Sequence, residues 1–339
     1  MTMAPTAPMP APADSPDEPR TLDPALAPSD RVFHNVARAI GVFVLVLTGS
    51  IGLFLGYQAI PTLRRYGFHF FIESQWDPER DVIGISAVLL GTFEVALVAL
   101  LIAFPLAVAL ALYISEYAPG RIKSVCVSLV DLMAAVPSIV YGLWGFFLLQ
   151  PNAIYLSRWL QQHLGFLPIF KVDTDPNAAV WAQTRYTASA FIAGIAVAMM
   201  VIPLACAVMR GVFAQAPIGE REAAFALGAT RWGMIRAVVL PFGRGGIIGG
   251  TMLGLGRALG ETVAVLLIIS PAFDLKFRVL EVGTQTTSAL IAGRFGEATS
   301  SQLSALLTAG FVLFVITLGV NTVAAVFVGR SRSGATTEI

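Results

Sequence analysis

The chain has 339 residues, 56% of them hydrophobic and only 13% charged, with a mean hydropathy of +0.75. Soluble domains carry about 25% charged residues, so this composition excludes an ordinary water-soluble globular protein and indicates an integral membrane protein. The formal net charge of +1 gives no support to a nucleic-acid or acidic partner.

Residues 1–30 hold eight of the 20 prolines and almost no large apolar side chain. Such a stretch cannot bury enough surface to offset its ordering entropy and is expected to be a disordered tail. It lacks a basic start followed by an apolar run, so it does not read as a signal peptide, and the first span is expected to do the targeting.

A hydrocarbon core needs about 20 apolar residues per helix. Six stretches of the region 31–330 qualify: 36–60, 85–114, 125–149, 188–209, 246–269 and 303–328. The expected fold is therefore an all-α integral membrane bundle of six transmembrane helices. An even count puts both termini on one side, with residues 331–339 as a second tail. If that side is cytoplasmic, it carries twelve of the 22 Lys and Arg residues against nine on the other, a bias of the right sign. Cys126 and Cys206 each lie inside an apolar run and read as small buried hydrophobes, not a disulfide.

Several spans contain Pro or Gly. The second has Pro105, the third Pro137 with Gly142 and Gly145, and the fourth Pro203. Prolines at depth imply kinks whose freed carbonyls are satisfied by neighbouring protein. The fifth has Gly249, Gly250, Gly254, Gly256 and Gly260. Small residues let backbones approach closely in lipid, so the fifth span is expected to be central. Between the third and fourth spans, Leu156, Trp159, Leu160 and Leu164 fall on one helical face. Two readings stand: an interfacial helix with Trp159 near the headgroups, or a core helix of a small external cap.

Soluble chemistry finds no support. There is no G-x-x-x-x-G-K-[ST] for ATP, and "GLGRALG" misses the dinucleotide spacing. His34, His69 and His163 are far apart, without metal-ligand spacing, and no Ser-His-Asp set can be assembled. Four ionisable residues lie in or near spans: Glu94, Asp131, Arg257 and Glu261. Such residues usually face a bundle interior and mark function. Asp131 reads as reaching the interface; Glu94 sits too early in its span to assign. Arg257 and Glu261 are four apart, so on one helix they share a face and could pair. They either neutralise one another or form a site, with the guanidinium presented bidentately to a crossing oxyanion.

Residues 222–241, "EAAFALGATRWGMIRAVVLP", are amphipathic and charged in an otherwise oily chain. Ala223 and Ala224 present small side chains on this segment. Glu222 suits the positive helix end, Gly228 permits a sharp turn, and Pro241 marks the boundary before the next span. The pattern E-A-A-x-x-x-G-x(9)-V-x-L-P resembles the cytoplasmic "EAA" loop of ABC importer permeases, with Val238 at the usual Ile position. "SEYAPGR", "AAVPSIVYGLWG", "ALGATRWGMIRAVVLP" and "GLGRALGETVAV" are similar to the permeases of the phosphate-specific ABC importer. "W-x-P" at Trp76 and "GLGRALGET" favour its PstC-type subunit over the PstA-type.

The resemblance covers about residues 31–330 and implies a type I importer permease. Region 214–241 would be the cytoplasmic coupling loop, with Glu222, Ala223, Ala224, Gly228, Ala229, Arg231 and Trp232 engaging an ATPase. Arg257 and Glu261 would line the phosphate pathway. The implied partners are a PstA-type second permease, two cytoplasmic ATPases and an external phosphate-binding protein. The implied location is the bacterial plasma membrane with both termini cytoplasmic. The chain would bind no cofactor and would not itself be an enzyme, since ATP and Mg sit on the ATPases. The alternatives are a permease for sulfate or molybdate, an ion-coupled carrier or channel with Arg257 and Glu261 as its ion site, and a scaffold that reports phosphate supply.

Overall fold

The computed structural model describes residues 28–173 and 184–329. Of the tail expected to be disordered over residues 1–30, positions 28–30 already belong to helix α1, while residues 1–27 and the tail 331–339 lie outside the described residues. The chain divides into two units, Met1–Ile51 and Gly52–Ile339. In the first, helix α1 (Pro28–Tyr66) begins, and its apolar side chains, among them Phe33, Ile40, Phe43 and Leu45, are exposed. That is the pattern of a helix whose solvent is lipid.

The second unit holds the rest of α1 and a short helix α2 (His69–Ile72). Strands β1 (Trp76–Asp77) and β2 (Val82–Ile83) then pair antiparallel, Trp76 opposite Ile83, the one small sheet among the described residues. Helix α3 (Ser86–Leu112) runs into a π-helical turn ending at Tyr117, followed by α4 (Gly120–Ala135), α5 (Ser138–Trp144), α6 (Gln150–Leu164) and α7 (Ala190–Phe213). Then come α8 (Ile218–Ala226), α9 (Arg231–Met234), α10 (Leu240–Phe242), α11 (Arg244–Gly260), α12 (Val263–Ile268), α13 (Thr287–Arg294) and α14 (Ser300–Gly329).

Among the described residues, five stretches are long and apolar enough to cross a membrane: Ser29–Tyr66, Ser86–Tyr117, Ser138–Leu164, Ala190–Phe213 and Ser300–Val328. A sixth is the pair Arg231–Phe242 and Arg244–Gly260, bent by 67°. Two expected spans differ from this. The third, expected at 125–149, is cut between α4 and α5. Pro137 drives the residue before it out of the helical region, and Val136 is extended at φ −65° and ψ 129°. The apolar run then restarts at Ser138 and continues through α6. The fifth, expected at 246–269, stops at Gly260, where Glu261 is extended and α12 starts afresh. Its helical run also begins earlier: the chain stays helical across Pro241 and bends at Gly243 instead. There a Cβ would meet the Phe213 ring at 2.4 Å.

The centre of the bundle is α3 on α7, with α11 laid along α7 and against α14. Buried Ala99, Ala103, Ala107 and Ala111 recur every four residues on α3. On α11 the glycines at 246, 250 and 254 repeat at the same interval. A Cβ at Gly254 would meet Val201 at 2.5 Å, one at Gly250 the Ala205 carbonyl at 3.0 Å, and one at Gly246 Val212 at 2.5 Å. Helices in lipid gain nothing from apolar burial against one another, so close backbone approach supplies the attraction. This stripe makes α11 a central helix.

Candidate functional site

After α7 the chain leaves the packed bundle as α8, which has no buried residue, and rejoins it from α9 onward, where Met234, Ile235 and Val239 are buried. Glu222 and Ala223 are exposed on α8, and Ala224 is half-buried. Gly228 takes φ +81°, a left-handed conformation that L side chains resist. The turn is closed by Gly228 N–H donating to Phe225 O (2.9 Å) and Ala229 N–H to Ala224 O (3.0 Å). Such a glycine just past the last helical turn satisfies carbonyls that would otherwise lack partners. Thr230 then starts α9, its hydroxyl oxygen accepting from Gly233 N at 3.1 Å. Large apolar side chains stand in the open here: Ile218, Phe225, Leu227 and Trp232 are 72%, 46%, 89% and 56% exposed.

Sequence reasoning missed the anchor of this segment. Arg221 donates to Glu116 Oε2 at 3.2 Å and to the Phe213 carbonyl at 2.6 Å. Glu116 is in the π-helical turn that ends α3, its side chain only 4% exposed, and it also accepts from Ser115 Oγ. Next to it Arg231 lies over the Tyr117 ring, 5.4 Å from its centre. The signal was present in "SEYAPGR", where a carboxylate and an aromatic ring close an apolar span.

A second site lies between α11 and α14. Arg257 is exposed into a groove of about 650 Å³, lined also by Leu204, Gly256, Gly260, Leu313, Phe314, Thr317 and Asn321. Among the described residues it has no ion pair with any carboxylate and no hydrogen bond. On α5 the Tyr141 hydroxyl donates to Met133 O across the Pro137 break.

The structure does not join Arg257 to Glu261 in an ion pair, against the expectation from their spacing. The i,i+4 rule requires both residues on one helix, and α11 ends at Gly260. Glu261 is buried, at 8% exposure. Its carboxylate accepts from Ala264 N at 3.4 Å, capping α12, and its carbonyl accepts from Ser288 Oγ at 2.9 Å. It sits at the break that bounds the groove but does not line it.

Asp131 is more than half exposed and pairs with Arg210 of α7 at 3.5 Å. Glu94 is buried on α3, away from the groove lining, with one carboxylate oxygen unpartnered. On α6, Trp159 is exposed and stacks on His163. At the far end of α7 a charged cluster ties the loop before α13 to the segment before α7. Buried Glu281 meets Arg278 (2.9 Å), Arg185 (3.6 Å) and Lys276 (4.0 Å), and Arg278 also meets Asp173. The Arg278 hydrogen bond holds the Asp173 carboxyl below its ordinary range.

Comparison with known proteins agrees with this architecture. The family model described as "Binding-protein-dependent transport system inner membrane component" matches residues 103–333. The phosphate transport system permease protein PstC 2 of Mycobacterium bovis is 38% identical over 309 residues, covering 90% of this chain and 93% of that protein. The PstC permease of Xylella fastidiosa (strain Temecula1) is 38% identical over 300 residues, covering 88% and 90%. Among solved structures, an inward-facing MetNI methionine ABC transporter chain superposes with a TM-score of 0.51 at 13% identity, covering 75% of this chain and 98% of that one, a likeness of fold. With this bundle, its apolar spans and these matches, the chain is a multi-pass membrane protein of the binding-protein-dependent transport system inner membrane component family.

Proposed function

We propose that the chain is a PstC-type permease subunit of an ATP-driven inorganic phosphate importer of the bacterial plasma membrane, forming half of the translocation pathway by alternating access. The observation that carries this reading is Arg257, a guanidinium with no carboxylate partner among the described residues, facing a groove between two apolar helices. A cation within an apolar span is costly, and an oxyanion passing it would supply a counter-charge through bidentate hydrogen bonds. The relatives named as phosphate permeases make phosphate the preferred oxyanion. Glu261 belongs to the same pathway, as the residue that fixes the break ending the groove wall.

The chain itself hydrolyses nothing and holds no cofactor; ATP and its Mg bind two cytoplasmic ATPase subunits. These grip α8 and its turn through Glu222, Ala223, Ala224, Gly228, Ala229, Arg231 and Trp232. The exposed Phe225, Leu227 and Trp232 are the apolar surface for that contact. Both termini are then cytoplasmic. Closing of the ATPases pushes α8, and the Arg221–Glu116 tie carries the push to α3. A PstA-type permease forms the other half, and an external phosphate-binding protein delivers the ion to the opposite face.

Purification of the tagged chain from its native membrane tests the reading. A second permease and a nucleotide-binding subunit should accompany it, and the complex should move phosphate only with ATP. Solute flux by this polypeptide alone, without any ATPase, would overturn it.

A further inference from the structure

The groove that holds Arg257 has two further polar groups, both on α14. Thr317 and Asn321 are four residues apart, so they share one face of the helix, and both line the groove. Their chemistry differs. The Thr317 hydroxyl has one hydrogen, and the backbone takes it: Oγ1 lies 2.9 Å from Leu313 O and 3.0 Å from Phe314 O. What remains of Thr317 for the groove is a lone pair, an acceptor. Asn321 makes no hydrogen bond among the described residues. Its amide oxygen and nitrogen lie 3.4 and 3.8 Å from where a Cβ on Gly256 would sit, so the glycine lets the amide lie against α11. Leu204, Leu253, Leu313 and Phe314 supply an apolar remainder. The groove thus has a fork of donors on Arg257 and, across from it on α14, an acceptor whose hydrogen is committed elsewhere.

Resting on the assignment of Arg257 to the substrate pathway, we propose that Thr317 and Asn321 are specificity residues. They select tetrahedral oxyanions that still carry a hydroxyl hydrogen. Phosphate and arsenate keep at least one such hydrogen at neutral pH; sulfate keeps none. Arg257 attracts all of them alike, because a guanidinium only donates. Thr317 Oγ1 accepts the P–OH hydrogen, and the Asn321 amide completes the contact. A sulfate in the same place sets its own lone pair against that of Thr317 and leaves an acceptor unsatisfied where water is scarce. Rejection of this kind works through repulsion and an unmade bond, not through size. A lipid phosphodiester also presents a tetrahedral phosphate, but it has no hydroxyl hydrogen and is rejected on the same ground.

The test is equilibrium binding of radiolabelled inorganic phosphate and of radiolabelled sulfate to the complete membrane complex in lipid nanodiscs. The external binding protein is omitted, so that it imposes no selection upstream. Wild type should prefer phosphate. Thr317→Val keeps the shape and removes the acceptor; the phosphate-to-sulfate ratio should fall about tenfold, chiefly through weaker phosphate binding. Thr317→Ser should restore it, which a merely structural role at this position would not predict. Asn321→Leu should lower the ratio in the same direction. Arg257→Gln should weaken both anions together. An unchanged ratio in Thr317→Val, with Arg257→Gln still weakening both, would overturn this proposal and leave the pathway reading intact. Undiminished binding of both anions in Arg257→Gln would overturn the pathway reading itself. Replacing zwitterionic lipid with phosphatidylglycerol should not displace phosphate; displacement would make the groove a lipid-headgroup site and overturn the proposal.

Discussion

The guanidinium of Arg221 on α8 holds the carboxylate of Glu116 at 3.2 Å, joining the exposed helix α8 to the last residues of the α3 helical run. Glu116 is nearly buried, so neutralising it leaves Arg221 without its charged partner. We expect Glu116→Gln to cost about 1–3 kcal/mol of local stability and to lower phosphate uptake about tenfold, while ATP hydrolysis by the complex persists. Uptake and ATPase rates measured on the same reconstituted complex check this. The exchange Glu116→Arg with Arg221→Glu should recover part of the coupling.

Gly228 takes φ +81° with open space around it. Sterics with neighbours therefore do not forbid a side chain; the backbone does, by about 1–2 kcal/mol. Gly228→Val should keep the complex together but re-aim the exit of α8. The expected result is ATP hydrolysis uncoupled from uptake. Full coupling in the variant would remove this turn from the transmission path.

For Arg257→Gln the expected loss of uptake is about ten- to hundredfold, the worth of a charge-assisted hydrogen bond. Assembly should be intact, because among the described residues no ion pair depends on Arg257. Subunit stoichiometry after purification and initial uptake rate together check it. The Glu261→Ala variant should behave differently. It removes the cap of α12 and should destabilise the break by about 1 kcal/mol, whereas Glu261→Gln keeps an acceptor and should be milder.

Gly254→Leu forces a branched side chain into Val201, where even a Cβ would stand 2.5 Å away. Overpacking costs about 1–3 kcal/mol, and α11 cannot leave α7 without disturbing α14. We expect a lower yield of assembled complex and a lower thermal midpoint by size-exclusion chromatography after heating.

Asp173 has its carboxyl held low by Arg278. The stability this contributes is complete above the ordinary carboxylate range and is lost only as pH falls through the depressed value. The protection factors of the Val279 and Val282 amides, bonded to Ile169 and Arg185 carbonyls, should therefore hold from pH 7 down to about 5. They should fall only at more acid pH, and Asp173→Asn should remove that pH step.

How much was legible in the sequence depends on the range of the interaction. The charge deficit and the long apolar runs gave the membrane bundle, because a lipid solvent leaves helices almost the only solution. The turn at Gly228 was legible because backbone conformation at one residue is a local property. The many glycines of the fifth span told that this helix is central, since small residues let backbones approach closely in lipid. Three things were not legible. The span beginning at Ser138 depended on where Pro137 cut an unbroken apolar run, and apolar character alone does not mark a cut. The Arg221–Glu116 tie joins residues 105 apart in the chain, and no periodicity encodes such a pair. The Arg257–Glu261 pairing followed from spacing that held only while the helix did. The fold broke that helix at Gly260, where the Glu261 carbonyl finds Ser288 and its carboxylate finds Ala264. The sequence by itself determined that the chain is a bundle of apolar helices and which span carries a cation. Only the tertiary structure decided what that cation faces, because partners distant in the chain meet only when the helices pack.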